Sequence, residues 1–220
     1  MIKAELVKEK IKYAYAYFTS KTIGKYHIKK SWLKTPKSVP LINNEITHVD
    51  WYSTEFIFQR IDFGGMPYLL ICICGSNDFT DWFHNVNIAT YKGYKLPAYW
   101  SALRVKKAYD LIDPALTKGI PVLLGTHSKS GAVSWPLYDM LNLQNKVPFE
   151  HIHAFCPAKG LRKKMSVPCA TLYIDKNDPV PKAGLTLNHP ICEIIYHPET
   201  DPIGIDISDH PISHWDGVEL

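Results

Sequence analysis

The sequence lacks the features that mark several large classes of protein. Its 220 residues hold five cysteines with no C-x-x-C spacing, and the odd count argues against a disulfide framework. No apolar run approaches the length of a membrane-spanning helix, and the N-terminus lacks the apolar stretch of a signal peptide. We therefore expect a soluble protein of a reducing compartment, cytoplasmic by default, while the sequence leaves release by another route open.

The chain also lacks a strong charge imbalance, internal repeats and low-complexity tracts. Its formal net charge is +4, with 25 basic against 21 acidic residues, and the lysines are scattered, so we predict no nucleic-acid partner. The most basic segment, residues 29–37, favours a solvated loop, with a transient contact to a lipid surface as the alternative. We interpret residues 1–220 as one domain, and the sequence predicts no oligomeric state.

What the sequence does contain is an alternation of helical and strand-like patterns. An apolar stripe from Val7 to Phe18, which includes Tyr15, predicts an N-terminal helix, and residues 28–50 have the character of a loop. The residue patterns of the later segments also predict strands and helices. They are strands at 55–62 and 68–74 around the Gly64-Gly65 turn, a short helix within 76–85, a helix from about Tyr99 to Leu111, and a strand after Gly119.

A serine between an apolar strand and a helix start marks residues 119–136, GIPVLLGTHSKSGAVSWP, as the candidate catalytic segment. The apolar run 120–124 predicts the strand, Ser128 follows a short turn, and residues 130–133 indicate the start of a helix. This is the layout of a nucleophile elbow, which presents a serine hydroxyl beside the backbone N–H groups of a helix N-terminus. We interpret Ser128 as a nucleophile; a turn that merely contains a serine is the alternative.

Six short segments then resemble a known family in their order along the chain. They are Cys74-Gly75-Ser76 with Asp81-Trp82 and Asn85, Thr90–Tyr94, Thr126–Ala132, His153–Gly160, Asn177–Pro181 and Asp209-His210. They are similar to the RGT…DW, VHxGF, GHSLGGA, TFGxPRxG and DPVP motifs and the closing histidine of the class 3 (fungal-type) triacylglycerol lipases. The resemblance covers roughly residues 68–215.

The resemblance implies an α/β-hydrolase fold, with a mostly parallel central sheet flanked by helices, and a serine hydrolase that acts on an ester or lipid. Acyl transfer needs a nucleophile, a base, a group that orients the base, and donors for the oxyanion. The nucleophile is then Ser128, the base is His210 and the orienting group is Asp178. Along the chain they follow the order Ser, Asp, His that is typical of this fold. The backbone N–H groups of Ser76 and Lys129 are the expected oxyanion donors.

Two of these assignments have rivals nearby. Asp175 ends the same predicted strand that Asp178 follows, and either aspartate is also a plausible turn residue. His214 competes with His210 for the role of base. The resemblance favours Asp178 and also His210, because Trp215 then follows the histidine at the expected distance.

Other histidines carry a weaker signal. His151 and His153 would lie on one face of a strand with Cys156 nearby, but two ligands do not make a zinc site. His127, beside the candidate nucleophile, points the wrong way along its strand to act as base. We predict that the reaction needs no metal and no cofactor.

The sequence departs from the family at the elbow itself. Thr126 and Ser130 stand where the family has glycine, Cys74 replaces the arginine, and Pro136 lies where the elbow helix should run and should kink or shorten it. These departures motivate the competing hypothesis, a catalytically impaired α/β-hydrolase-like protein that serves as a binding or scaffold module. Whether an active enzyme would take triglyceride, phospholipid, galactolipid or a small ester is left open.

Overall fold

The structure, a computed structural model, describes residues 2–20, 27–30, 38–41, 45–51, 54–75, 89–182, 186–198, 212–216 and 218. The strands within these ranges are β1 (His27–Lys30), β2 (Ile46–Trp51), β3 (Thr54–Phe63), β4 (Met66–Ile73), β5 (Thr90–Tyr91), β6 (Tyr94–Lys95), β7 (Val122–His127), β8 (Phe149–Phe155), β9 (Ser166–Ile174) and β10 (Ile191–Tyr196). The α-helices are α1 (Ile2–Ser20), α2 (Leu96–Tyr109), α3 (Pro114–Thr117) and α4 (Gly131–Tyr138).

Eight of these strands form one sheet in the order β1-β2-β3-β4-β7-β8-β9-β10. β3 runs antiparallel to both of its neighbours, and every other adjacent pair is parallel. The carboxyl ends of β4, β7, β8, β9 and β10 therefore meet along one edge, where ligands of open α/β sheets bind. Gly75, Ser128, Cys156, Asp175 and His197 lie at or just after those ends.

Helices cover both faces of the sheet. Along β4, Leu69 and Ile71 belong to one buried cluster, whereas Leu70 and Cys72 belong to the other. α1 packs on the second face, and α2 and α4 pack on the first. Both faces of a parallel sheet are then buried, which explains the continuous apolar run that predicted β4. The expected fold class, a mostly parallel sheet flanked by helices, is confirmed.

Most of the predicted elements are present. The N-terminal helix, the two strands around Gly64-Gly65, the helix through Tyr99 and the strand after Gly119 all occur. The loop expected at residues 28–50 is wrong in part, because β1 and β2 lie there. β2 is stabilised by its pairing with β3, a contact between chain segments that local sequence pattern does not reveal.

Three further predictions concern a short helix, the cysteines and membrane-spanning segments. The short helix within 76–85 lies outside the described residues. The five cysteines are free thiols, and Cys72 and Cys74 are buried as expected. Among the described residues no helix has both the length and the apolar character needed to cross a membrane.

Pro136 lies inside α4, and the α-helix ends two residues later at Tyr138. The chain continues as a π-helical segment, Asp139–Gln144. A proline has no N–H to donate and its ring crowds the carbonyl four residues earlier, so irregular helix around it is expected. The shortening predicted for the helix after the elbow is therefore observed.

Candidate active site

Ser128 occupies a strained turn between a strand and a helix. β7 ends at His127, a 3-10 turn spans Ser128–Ser130, and α4 begins at Gly131. Ser128 has φ of +61°, in the left-handed region that a residue with a Cβ adopts at a cost. The strand, sharp turn and helix predicted for an elbow are all present.

Ser130, at the position where the G-x-S-x-G motif has its second glycine, holds this turn together. Its buried hydroxyl accepts the N–H of His127 at 3.0 Å, and it lies 2.7 Å from the Ile73 carbonyl and 2.8 Å from the His127 carbonyl. One hydroxyl therefore links the end of β7 to the end of β4. Thr126, at the position of the first glycine of that motif, lies 3.0 Å from Ser134 on α4 through the two hydroxyl oxygens. Hydrogen bonds therefore hold both side chains at the elbow.

In the G-x-S-x-G motif the two glycines lie two residues before and two residues after the serine. Here the glycines that allow close packing are Gly125 and Gly131, three residues before and three residues after Ser128. A Cβ on Gly125 would lie 2.3 Å from the Val7 side chain on α1. A Cβ on Gly131 would lie 2.2 Å from that of Pro157. The spacing in this chain is therefore G-x-x-S-x-x-G, and each glycine admits a neighbouring element against the turn.

We expect Ser130→Ala to lower the free energy of unfolding by about 2–3 kcal/mol, because it leaves buried backbone groups of the elbow without their partner. Urea denaturation followed by near-ultraviolet circular dichroism measures the change. The matched control is Ser134→Ala, which removes one hydroxyl–hydroxyl bond and should cost about 1 kcal/mol. Equal, small losses in both variants would contradict the role assigned to Ser130.

The loop after β8 connects Ser128 to Asp178. The N–H of Ala158 donates to the Ser128 carbonyl at 3.0 Å. Cys156, which has φ of +43°, is hydrogen-bonded to the Asp178 side chain. Burial, followed by the nearby Asp178 charge, raises the pKa of the Cys156 thiol, so this cysteine is a poor nucleophile.

Asp178 itself is completely buried three residues beyond Asp175. Its Oδ1 accepts the N–H of Val180 at 2.8 Å, which closes an Asx turn and fixes the carboxylate. The turn interpretation and the catalytic interpretation are therefore compatible at this position. A carboxylate needs one oxygen for the turn and can orient a histidine with the other.

The two rivals, Asp175 and His214, lie together in a separate cluster. His214 Nε2 donates to Asp175 Oδ2 at 3.0 Å, and Asp175 Oδ1 accepts the N–H of Asn177. His197 joins them: its Nε2 donates to the His214 carbonyl, and its Nδ1 lies 3.8 Å from Asp175 Oδ2. His214 lies in a 3-10 turn, Ile212–Trp215.

This cluster also offers three possible metal ligands, whose ligating atoms all lie within 4.8 Å of one another. The His197 and His214 rings stack with their centroids 4.1 Å apart and 25° between their planes. The lone pair of an imidazole nitrogen lies in the ring plane, and a zinc ion sits about 2.0–2.1 Å from that nitrogen. The planes of rings stacked in this way meet well beyond that bonding distance, so the arrangement suits hydrogen bonding better than metal binding.

Of the remaining predicted residues, some lie outside the described residues and Lys129 lies within them. His210 and Ser76 lie outside the described residues, as do Phe79, Trp82, Phe83 and Val86, the residues considered for a lid. Lys129 directly follows Ser128 and lies near Lys95 at the start of α2. Burial, and then the Lys129 charge, lowers the pKa of Lys95 to about 8. Lys95 and Lys129 line one cavity together with Ala132 and Val133 of the elbow helix.

His151 and His153 do lie close together on β8, with ring centroids 4.5 Å apart. His151 is hydrogen-bonded to Thr171, and His153 to Tyr173, on the neighbouring strand. Burial lowers the pKa of His153 to about 3, so this imidazole is neutral. These contacts fit the interpretation as strand histidines.

Two residues of the site had no sequence signal for their roles. Tyr15 belongs to the apolar stripe of α1, yet its hydroxyl hydrogen-bonds to Gly75 and His127 at the sheet edge. His197 follows β10 and had no motif around it. Both contacts join distant parts of the chain, and only the strand order brings them together.

Comparisons with known proteins add a limited finding. The chain matches no protein-family model and no curated protein sequence. Among solved structures it is similar to the crystal structure of a predicted CIB-like hydrolase from Thermoplasma acidophilum. The identity is 12%, the alignment covers 78% of this chain and 93% of that chain, and the TM-score is 0.36. A similarity this low carries no argument about activity. The sheet order and the helices on both faces fit an α/β-hydrolase fold.

Proposed function

We propose that this protein is a serine hydrolase that cleaves carboxylic esters through an acyl-enzyme. The observation that carries the proposal is Ser128, held at φ of +61° between a buried parallel strand and a helix. A serine is placed in such a strained turn where its hydroxyl must stand clear of its neighbours. The resemblance to class 3 lipases supports the same role for Ser128.

The proposed triad is Ser128, His210 and Asp178. Asp178 is supported by its burial, by its Asx turn, and by the loop that contacts both its carboxylate and the Ser128 backbone. His210 is assigned on the resemblance. The rival His214 faces Asp175 through Nε2, whereas a triad histidine uses Nδ1 for its aspartate and Nε2 for its serine.

The proposed reaction follows from these roles. His210 takes the hydroxyl proton as Ser128 attacks the ester carbonyl, and the N–H groups of Ser76 and Lys129 stabilise the resulting oxyanion. Asp178 orients the imidazole and stabilises its protonated form. Collapse of the tetrahedral intermediate expels the alcohol, which takes the proton from His210. Water activated by the same histidine then releases the acid.

A fluorophosphonate probe tests the proposal directly. We expect the probe to add once to the wild-type protein and peptide mapping to place the adduct on Ser128. Ser128→Ala should remain unlabelled, whereas Ser213→Ala, which removes an exposed serine, should label like the wild type. An unlabelled wild-type protein would contradict the enzyme and favour a catalytically impaired binding or scaffold protein.

If the label is on Ser128, the substrate class can be approached next. Hydrolysis rates for esters of increasing acyl length, with and without an oil–water interface, separate a lipase from an esterase. A lipase gains activity at the interface, while an esterase prefers dissolved, short esters.

A further inference from the structure

A side chain from the N-terminal helix reaches the loop that should form the oxyanion hole. The backbone N–H of Gly75 donates to the Tyr15 hydroxyl oxygen at 2.6 Å. The same oxygen lies 2.9 Å from Nδ1 of His127, the residue before Ser128. Tyr15 therefore bridges the chain after β4 and the end of β7, two adjacent parallel strands.

The Gly75 N–H can only donate, so the Tyr15 oxygen accepts that hydrogen bond. Burial raises the pKa of the Tyr15 phenol well above its usual value of 10, so the hydroxyl keeps its own proton. The phenol donates to His127 Nδ1 in the tautomer that carries the imidazole proton on Nε2. The Tyr15 and His127 rings meet edge to face, with their centroids 5.6 Å apart.

Gly75 is confined between Tyr15 and the candidate nucleophile. A Cβ on Gly75 would lie 2.4 Å from the Tyr15 hydroxyl oxygen and 2.9 Å from the Ser128 Cβ. The backbone of Gly75 is thus fixed on one side by Tyr15 and on the other by the elbow.

Tyr15 is itself held by the anchoring of α1. Lys8 on this helix donates to the carbonyl of Trp215, and Lys12 pairs with Asp216 at 2.8 Å. Val7 packs into the space left by Gly125 on β7. The helix is therefore tied both to the elbow strand and to the C-terminal 3-10 turn, which limits the movement of Tyr15.

We propose that Tyr15 is a positioning residue, which sets the oxyanion loop through Gly75. The inference rests on the proposed function, because it assigns the Ser76 N–H to the oxyanion. Tyr15 does not touch the reacting atoms in this proposal. It keeps the loop in the geometry that binds the tetrahedral intermediate better than the substrate, so it acts on kcat and little on KM.

The test compares Tyr15→Phe with Tyr13→Phe, a change at an exposed tyrosine of the same helix. We expect Tyr15→Phe to lower kcat and the rate of fluorophosphonate labelling by about 10- to 100-fold, with KM changed by less than about twofold. Exchange of the Gly75 amide proton, measured by NMR, should speed up by about tenfold because its acceptor is gone. Tyr13→Phe should leave all four quantities unchanged.

The outcomes separate the two proposals. A wild-type protein that neither labels nor hydrolyses esters contradicts the proposed function, while faster Gly75 exchange in Tyr15→Phe still reports the hydrogen bond. An active wild type whose kcat and Gly75 exchange are unmoved by Tyr15→Phe overturns the role of Tyr15 alone. A fall in KM and kcat together, with a lowered melting temperature and unchanged Gly75 exchange, also overturns it.

A second variant is available if Tyr15→Phe fails to fold. His127→Leu removes the other partner of the Tyr15 hydroxyl and should lower kcat severalfold. An unchanged kcat would count against the proposal.

Discussion

Replacing His210 with alanine is expected to lower kcat for ester hydrolysis by about 10⁴-fold, because Ser128 then has no base to take its proton. KM should change little, since the imidazole contributes mainly after binding. The melting temperature should stay near that of the wild type. Steady-state kinetics on a soluble ester, together with a thermal melt of the same preparation, measures both quantities.

The matched variant is His214→Ala, which probes the rival base. His214 donates to the buried carboxylate of Asp175, so its loss leaves that charge with one fewer partner. We expect the free energy of unfolding to fall by about 2–3 kcal/mol, while kcat stays within about tenfold of the wild type. His210→Ala should therefore lower turnover, whereas His214→Ala should lower mainly the free energy of unfolding.

The opposite pattern would reassign the triad. If His214→Ala abolishes turnover and His210→Ala does not, Asp175 and His214 are the catalytic pair, and Asp178 keeps only its turn. The aspartates give an independent check. Asp178→Asn should lower kcat by at least about 10²-fold, and Asp175→Asn should act mainly on the free energy of unfolding.

The parts of this molecule that could be predicted from sequence are those whose cause is local. β4 and β7 are continuous apolar runs bounded by glycine, and both occur where the pattern placed them. The strand, turn and helix start around Ser128 could be predicted for the same reason, since all three depend on a few consecutive residues. β2 was missed because its stability comes from pairing with β3 rather than from its own composition.

The parts that could not be predicted depend on contacts across the sheet. Tyr15 is separated from Gly75 by 60 residues, and His214 from Asp175 by 39, so no spacing rule links them. Ser130 is a different case. Its departure from the G-x-S-x-G motif counts against an active elbow, yet its hydroxyl hydrogen-bonds to the ends of both β7 and β4. A residue that departs from a sequence motif can thus still stabilise the turn in which it lies.

The displaced glycine after the elbow gives the second large effect. Gly131 has helical φ and ψ of −55° and −38°, where alanine would ordinarily be about 1 kcal/mol more favourable than glycine. Its Cβ, however, would lie 2.2 Å from the Cβ and 2.6 Å from the Cα of Pro157. We expect Gly131→Ala to lower the free energy of unfolding by about 3 kcal/mol, so the sign of the usual glycine-to-alanine effect is reversed.

The loop around Pro157 cannot relieve this clash freely, because Ala158 donates to the Ser128 carbonyl and Cys156 is hydrogen-bonded to Asp178. Gly131→Ala should therefore also slow fluorophosphonate labelling of Ser128. Gly64→Ala is the control. Its φ of +61° costs alanine about 1 kcal/mol, but no atom of the described residues lies within 4 Å of the added Cβ, so labelling should be unaffected. Adding Pro157→Gly to Gly131→Ala removes the proline ring, which holds the nearer of the two clashing atoms, while the backbone atom stays in place. In a double-mutant cycle, urea denaturation should then show partial recovery, whereas strictly additive losses would mean that the clash between Gly131 and Pro157 does not limit the elbow.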